Sequence, residues 1–286
     1  MQRSIGPEES GQRLDVLVAS LLPRLSRAYV QKLGDQGRIR VNGLGCKAGY
    51  KLRAGDSIDI DYDESELDNL PQIDIPVLYE DDNCIVLNKP AGVLTHALGK
   101  HGNEASVASF LRDKVAGLDG DRAGIVHRLD RATSGVIIGA KNQETLSMLQ
   151  KQFALRKVKK TYVAVVDGLP DPYEALIDMP IARNPKAPAT FRVGPNGKPA
   201  KTHYKVVRPG EQYSLVELKP ETGRTHQLRV HMAKVGHPIV GDPLYGGGNY
   251  GDQLFLHALS LEITIPGGER KTFVAPLPPI FEDTVA

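Results

Sequence analysis

The sequence predicts an α+β fold in two parts. A small N-terminal α/β module spans residues 1–60, and a body over residues 77–286 is built on a largely antiparallel, mixed β-sheet, with an acidic linker at 61–76 between them. Three observations carry this. Leu14, Leu17, Val18 and Leu21 recur at helical spacing near the start. From Val77 onward the chain is a succession of short β-rich runs punctuated by Gly and Pro, with few helical stretches. The charge also divides sharply: residues 1–60 carry a net +4, residues 61–82 a net −9 with no Lys or Arg, and residues 83–286 a net +7.

In chain order, the first helix stops before Pro23, whose ring cannot continue it. Ser26 is a candidate N-cap for a second short helix, Arg27 to Leu33, ending near Gly34 and Gly37. Ile39 and Val41 alternate as in a strand, Asn42-Gly43 is a hairpin turn, and Ile58 and Ile60 follow as another strand. Pro71 and Pro76 close the acidic stretch, whose like charges favour extension and repel a polyanion, as suits a spacer. In the body, Asn142 is a candidate cap for a helix carrying Leu146, Leu149 and Phe153 on one face. Pro185 to Pro199 is rich in Pro, Gly and Lys and reads as an open loop.

Composition narrows the class. With 41% hydrophobic and 24% charged residues the chain has the make-up of a globular protein. No run of about eighteen apolar residues suggests a membrane span, and no apolar core follows Met1, so a cytoplasmic protein is expected. Cys46 and Cys84 stand alone, without the spacing of a metal or redox site. His226 and His231 are five apart, not the i, i+4 pair of a helical zinc site, so no metal is expected. Basic modules on either side of an acidic spacer favour a polyphosphate partner.

The densest chemistry lies in residues 124–141. There the charged cluster His127, Arg128, Asp130 and Arg131 sits between the apolar runs Ile125-Val126 and Val136-Ile137-Ile138, with Thr133-Ser134-Gly135 as the turn. A carboxylate on a short loop between buried strands is held rigidly, as a nucleophile or base requires. Thr133 and Ser134 read as turn and strand-start residues, with no His and Asp arranged around them as a triad.

The string HRLDRATSG at 127–135 resembles the signature of the RluA-type pseudouridine synthases. Four further blocks follow the same family's order: NKPAGV at 88–93, KKTYVAVV at 159–166, ETGRTHQLRVHMA at 221–233 and GDPLYG at 241–246. The first sixty residues, two helices leading into a hairpin, resemble an S4-like RNA-binding domain, with Arg24, Ser26, Arg27, Lys32 and Arg38 as its RNA-contacting residues.

The resemblance implies a pseudouridine synthase fold and an isomerase that converts specific uridines in RNA to pseudouridine. Such a reaction needs no cofactor, because it involves no net redox change and no group donor. Asp130 is then the nucleophile, attacking either the sugar's anomeric carbon or the pyrimidine ring. Arg224 is the expected cation beside it, Tyr162 the ring that stacks on uracil and the general base, and Leu228 an apolar wall or plain core. Arg128 fills the gap left by a flipped uridine, and His127 supports it as a hydrogen bonder. Lys159 or Lys160 touches a phosphate or is a solvated strand-end charge. The implied substrate is large-subunit (23S) ribosomal RNA, with a transfer-RNA uridine as the alternative. A non-catalytic RNA-binding or ribosome-assembly factor is the rival from another class. A monomer acting in the cytoplasm is expected.

Overall fold

The computed structural model describes residues 1–22, 25, 27–62, 73–96, 104–115, 118, 124–248, 250 and 253–285. They fall into two compact units, one within Met1–Ile73 and His96–Phe110, the other within Asp74–Thr95, Leu111–Leu118 and Gly124–Ala286. Most of the acidic linker, and the candidate cap Ser26, lie outside the described residues.

In the first unit, α1 (Leu14–Leu21) lies where the apolar spacing places it, and α2 (Arg27–Asp35) begins at the expected residue and runs past Leu33 to Asp35. Leu14, Leu17 and Val18 of α1 and Tyr29, Val30 and Leu33 of α2 are buried in one core. That core also takes Ile39 and Val41 of β2 (Ile39–Val41) and Ile58 and Ile60 of β4 (Ser57–Ile60). Alternation drives this, since Arg40 between the two buried residues of β2 points outward. Asn42 and Gly43 both have positive φ, 53° and 78°, which joins β2 to β3 (Leu44–Gly45) by a tight hairpin. An edge strand, β1 (Gln2–Ser4), is too short and polar to be foreseen from sequence. The sheet order is β1-β4-β2-β3, all antiparallel.

The second unit holds a nine-stranded sheet. Its strands are β5 (Val77–Glu80), β6 (Cys84–Lys89), β7 (Ser134–Ala140), β8 (Lys159–Asp167), β9 (Glu174–Asp178), β12 (Lys201–Arg208), β13 (Tyr213–Pro220), β14 (Leu256–Thr264) and β15 (Arg270–Val274). The order is β5-β6-β7-β14-β8-β13-β12-β9, with β15 paired to β14. Every described pairing is antiparallel except β7 with β14. Helix α3 (Gln143–Ala154) starts where Asn142 Oδ1 accepts the Thr145 N–H at 2.9 Å, and its Leu149 is buried on the sheet. Helix α4 (Gln227–Lys234) packs Leu228 and Met232 into a second cluster with Val216, Leu218 and Leu256. The expected open loop at Pro185–Pro199 instead contains part of a two-stranded hairpin, β10 (Ile181–Arg183) with β11 (Phe191–Val193).

The parallel pair constrains the chain most. Every residue of β7 is buried. At its start Gly135 has φ of 109°, in register with Ala258, and a Cβ there would lie 2.2 Å from the Ala258 carbonyl oxygen. Only glycine suits both the dihedral and the approach. Gly135→Ala is therefore expected to destabilise the protein by about 3 kcal/mol or more, combining backbone strain with overpacking. Thermal unfolding followed by circular dichroism would register this as a drop of several degrees in midpoint.

Candidate active site

Asp130 sits on the loop that leads into β7, and the main chain on both sides of it is clamped. Before it, the Thr95 hydroxyl donates to the Leu129 carbonyl at 2.8 Å and accepts the Leu129 N–H at 3.1 Å. After it, the Arg131 carbonyl accepts from the Lys89 ammonium at 3.1 Å and from the Gly92 N–H at 2.9 Å. Lys89 is fully buried and donates also to the Pro90 and Val93 carbonyls, at 2.9 and 2.7 Å. Burial pulls its pKa down to about 7, with the field of Asp130 acting the other way. Three carbonyls match the three donors of an ammonium and would leave a neutral amine's lone pair facing an acceptor, so the charged form is retained.

The opposite wall comes from the entry to α4. Thr222 donates to Gln227 Oε1 at 2.7 Å, the Arg224 N–H donates to the same oxygen at 3.0 Å, and Gln227 Nε2 donates to the Lys201 carbonyl at 2.9 Å. This folds residues 222–227 into a turn that delivers Arg229 toward Asp130. Arg229 Nη1 lies 3.7 Å from Asp130 Oδ2, while its Nε and Nη2 donate to the two oxygens of Asp242 at 2.7 Å each. Asp242 is wholly buried and Arg229 only 7% exposed. Desolvation opposes the charge on Arg229, but the hydrogen bonds and field of Asp242, with that of Asp130, raise its pKa overall.

Between these walls lies a cavity of 140 Å³ lined by Asp130, Arg128, Tyr162, Leu228, Leu256 and residues 222–229. Tyr162, on β8, is half-buried; burial first and Asp130 second raise its pKa, so the phenol is protonated at neutral pH. Leu228 is both wall and core, being 7% exposed within the cluster under α4. Arg128 is exposed at the cavity mouth and also lines a neighbouring cleft of 410 Å³ shared with Lys160, Tyr162 and Arg224.

Arg224 does not sit as expected. Its Nε donates to the Pro199 carbonyl at 3.0 Å, and the guanidinium within 4 Å of Asp130 is that of Arg229. The reason is the α4 turn: Arg224 precedes the helix and lies on the rim, whereas Arg229 is in its first turns and faces inward. Of the two adjacent lysines, Lys159 is exposed and paired with Glu262 at 3.1 Å. Lys160 lines both cavities and donates to the Thr222 carbonyl at 3.4 Å; burial lowers its pKa to about 8. His127 stacks on Phe153 with ring centroids 4.5 Å apart, and its Nε2 accepts the Ile138 N–H at 3.2 Å. Burial, then Lys160, pushes its pKa down to about 3, so it is neutral.

Ser134 does have a histidine beside it, His257, with Nδ1 2.8 Å from the hydroxyl. Both are buried and His257 Nε2 faces the Ala275 carbonyl at 3.4 Å, so the pair ties β7 to β14 and carries no acid. Among the described residues no group of three or more His, Cys, Asp or Glu could hold a metal ion, and no helix is long and apolar enough to cross a membrane.

In the N-terminal unit, Arg24 lies with Ser26 outside the described residues, and Arg27 opens α2. The Lys32 ammonium lies 5.6 Å from the Tyr29 ring centre. Arg38 Nε donates to the Asp61 carbonyl at 3.1 Å.

The family model described as RNA pseudouridylate synthase matches residues 83–234, the stretch that contains both walls of this cavity except Asp242 and Leu256. The chain belongs to the RNA pseudouridylate synthase family. An S4 domain model matches residues 12–58. The chain is 33% identical to ribosomal large subunit pseudouridine synthase C of Vibrio cholerae, over 96% of this chain and 92% of that protein. It is 36% identical to ribosomal large subunit pseudouridine synthase D of Borreliella burgdorferi, over 98% and 91%. Human RNA pseudouridylate synthase domain containing 1 superposes with a TM-score of 0.59 at 29% identity, covering 72% of this chain and 85% of that one. The pseudouridylate synthase is accordingly an isomerase, and RNA is its substrate.

The two arginines of this synthase are distinguishable by stability. Arg229→Gln strands the buried Asp242 carboxylate and is expected to cost about 3 kcal/mol or more. Arg224→Gln loses a single rim hydrogen bond and should cost about 1 kcal/mol. Parallel thermal melts of the two variants would reveal the difference.

Proposed function

We propose that this chain isomerises specific uridines of large-subunit ribosomal RNA, with Asp130 as the nucleophile. The observation that carries the reading is the guanidinium shared between two carboxylates. Arg229 spends Nε and Nη2 on Asp242 and leaves Nη1 for Asp130. Because Asp242 already claims most of that cation, Asp130 faces a single guanidinium nitrogen and is not tied up in a bidentate pair, which would blunt it as a nucleophile.

The chemistry required is modest. Asp130 forms a bond in its attack and releases it again by the end of the reaction; meanwhile the bond from uracil N1 to the ribose anomeric carbon breaks, the base turns while held, carbon 5 bonds to the anomeric carbon, the carbon 5 proton is lost to solvent and N1 takes up a proton. Tyr162 and Leu228 bracket the space for a flat apolar ring beside Asp130. Since its phenol is held protonated, Tyr162 can take the carbon 5 proton only by passing its own onward, and stacking is its first role. Arg128, flat, cationic and exposed at the mouth, suits the vacancy left in the RNA stack. Lys160, not the ion-paired Lys159, is the cation placed to meet a phosphate next to the flipped nucleotide.

Ribosomal RNA is favoured by the names of the relatives and by the S4 match, which supplies a second RNA-binding module. A ribosomal substrate suits the cytoplasm. Transfer RNA is the alternative that pseudouridine mapping in cells with and without the gene would distinguish.

Asp130→Asn keeps size and shape but removes the attacking charge. It should fold and bind RNA while releasing no tritium from carbon-5-labelled uridine; release at the wild-type rate would remove Asp130 from the mechanism. Arg128→Ala should reduce turnover severely on structured RNA, by about 100-fold, and distinctly less on a substrate whose uridine is already unpaired, because less unstacking must then be offset. Equal defects on the two RNAs would place Arg128 in the chemistry itself.

A further inference from the structure

The GDPLYG turn at 241–246 offers two side chains to the site, and Asp242 accounts for only one. The other is Tyr245. Its hydroxyl oxygen accepts the Phe191 N–H at 2.9 Å, and the same hydroxyl lies 2.9 Å from His226 Nδ1. The amide can only donate and occupies an acceptor site of the phenolic oxygen, which leaves the phenolic proton free to point at Nδ1. A neutral imidazole that accepts at Nδ1 carries its hydrogen on Nε2. That nitrogen lies 3.9 Å from Asp130 Oδ2, the oxygen that also faces Arg229.

The backbone is arranged to put it there. His226 has φ of 55° and ψ of 21°, a left-handed conformation unusual for a side chain other than Gly or Asn, at the residue just before α4. Strain of this kind persists where surroundings over-determine it. Here they do: the Phe191 ring meets the imidazole edge-on at 5.6 Å, and the Tyr245 ring does so at 5.7 Å. The charged groups around the imidazole are Asp130, Arg229, Asp242 and Arg128. Burial keeps the ring neutral, opposed by Asp130 and assisted by Arg229.

We propose that His226 is a positioning residue for the nucleophile, presenting an Nε2–H to Asp130 Oδ2 in the tautomer that the Tyr245 hydroxyl imposes. This rests on the reading of Asp130 as the nucleophile. At 3.9 Å the contact is longer than a hydrogen bond, and it closes as RNA fills the cavity, in the way catalytic hydrogen bonds tighten in the substrate complex. The donor aims the carboxylate without adding a second full positive charge beside it.

Two measurements on the full-length protein test this. The first is long-range proton–nitrogen NMR of protein carrying ¹⁵N-labelled histidine, with His226 assigned by its loss in His226→Gln. A ring protonated on Nε2 at neutral pH is expected, and one protonated on Nδ1 would overturn the proposal.

The second is a double-mutant cycle read as kcat and KM for tritium release. Tyr245→Phe keeps the ring beside Arg229 but frees the tautomer, and should lower kcat about tenfold with KM within about twofold. In the His226→Gln background, where an amide supplies the donor without any tautomer to fix, the same change should cost less than about twofold. An equal cost in both backgrounds would mean that Tyr245 acts elsewhere and would sink the idea. His226→Asn, which tolerates the left-handed backbone but falls short of Asp130, should lose about 10- to 100-fold in kcat. A wild-type kcat in the His226→Asn variant, or a change in KM alone, would also overturn it. Should that variant fail to melt cooperatively, the Tyr245 cycle and the spectrum decide. Asp130→Asn serves as reference: activity there overturns the nucleophile reading itself, whereas a dead Asp130→Asn variant beside an unaffected His226→Asn variant overturns only the present inference.

Discussion

The buried bridge between Arg229 and Asp242 is the constraint on which the rest of the site depends. A guanidinium and a carboxylate taken out of water are expensive, and two bonds of 2.7 Å in a planar fork are what make the pair tenable. Once formed, it ties the first turns of α4 to the turn at 241–246, because Asp242 also accepts the Leu244 N–H at 3.0 Å. Both segments bring further groups with them. From one come His226, Leu228 and the Gln227 network, and from the other comes Tyr245. The single guanidinium nitrogen left over is the one that meets Asp130.

The site divides its labour between main chain and side chain. Lys89, Thr95 and Gly92 fix the peptide units flanking Asp130. Arg229 and His226 face the carboxylate itself. Such a division resembles the support that metal ligands receive from their outer partners, which fix the ligands without binding the metal.

Much of this was legible in the sequence. Apolar spacing located α1 and α3, cap and glycine signals located α2, alternation located β2 and β4, and the HRLD string located the loop of Asp130, because each is a local property of a short window. What stayed hidden is non-local. Both Arg224 and Arg229 stand in the same block, and periodicity alone does not say which faces inward, since that depends on where the turn hands over to α4. A signal was available, though. Gln227, Arg229 and His231 are polar residues inside a helix that buries them, and a buried polar face on a helix marks internal hydrogen bonding. The hairpin of β10 and β11 was masked by a Pro- and Gly-rich composition typical of open loops, and yet it supplies Phe191. The edge strand β1 lacks any apolar period at all. Lys159 and Lys160 were left as equals because strand alternation names the two faces without naming which of them is the pocket.

The sequence distances inside the site have a kinetic side. Asp130 is clamped by residues about 40 positions before it and paired with one about 100 positions after it, and that partner is itself held from beyond α4. Contacts of such separation require loop closure to be offset before they stabilise anything, and they form late in folding. A chain emerging from the ribosome carries Lys89, Gly92 and Thr95 before Asp130, and Asp130 well before Arg229. Until α4 is in place, Asp130 lacks the guanidinium that faces it in the folded chain. The pairing of Asp130 with Arg229 thus belongs to the finished fold and not to the short segment that carries the carboxylate.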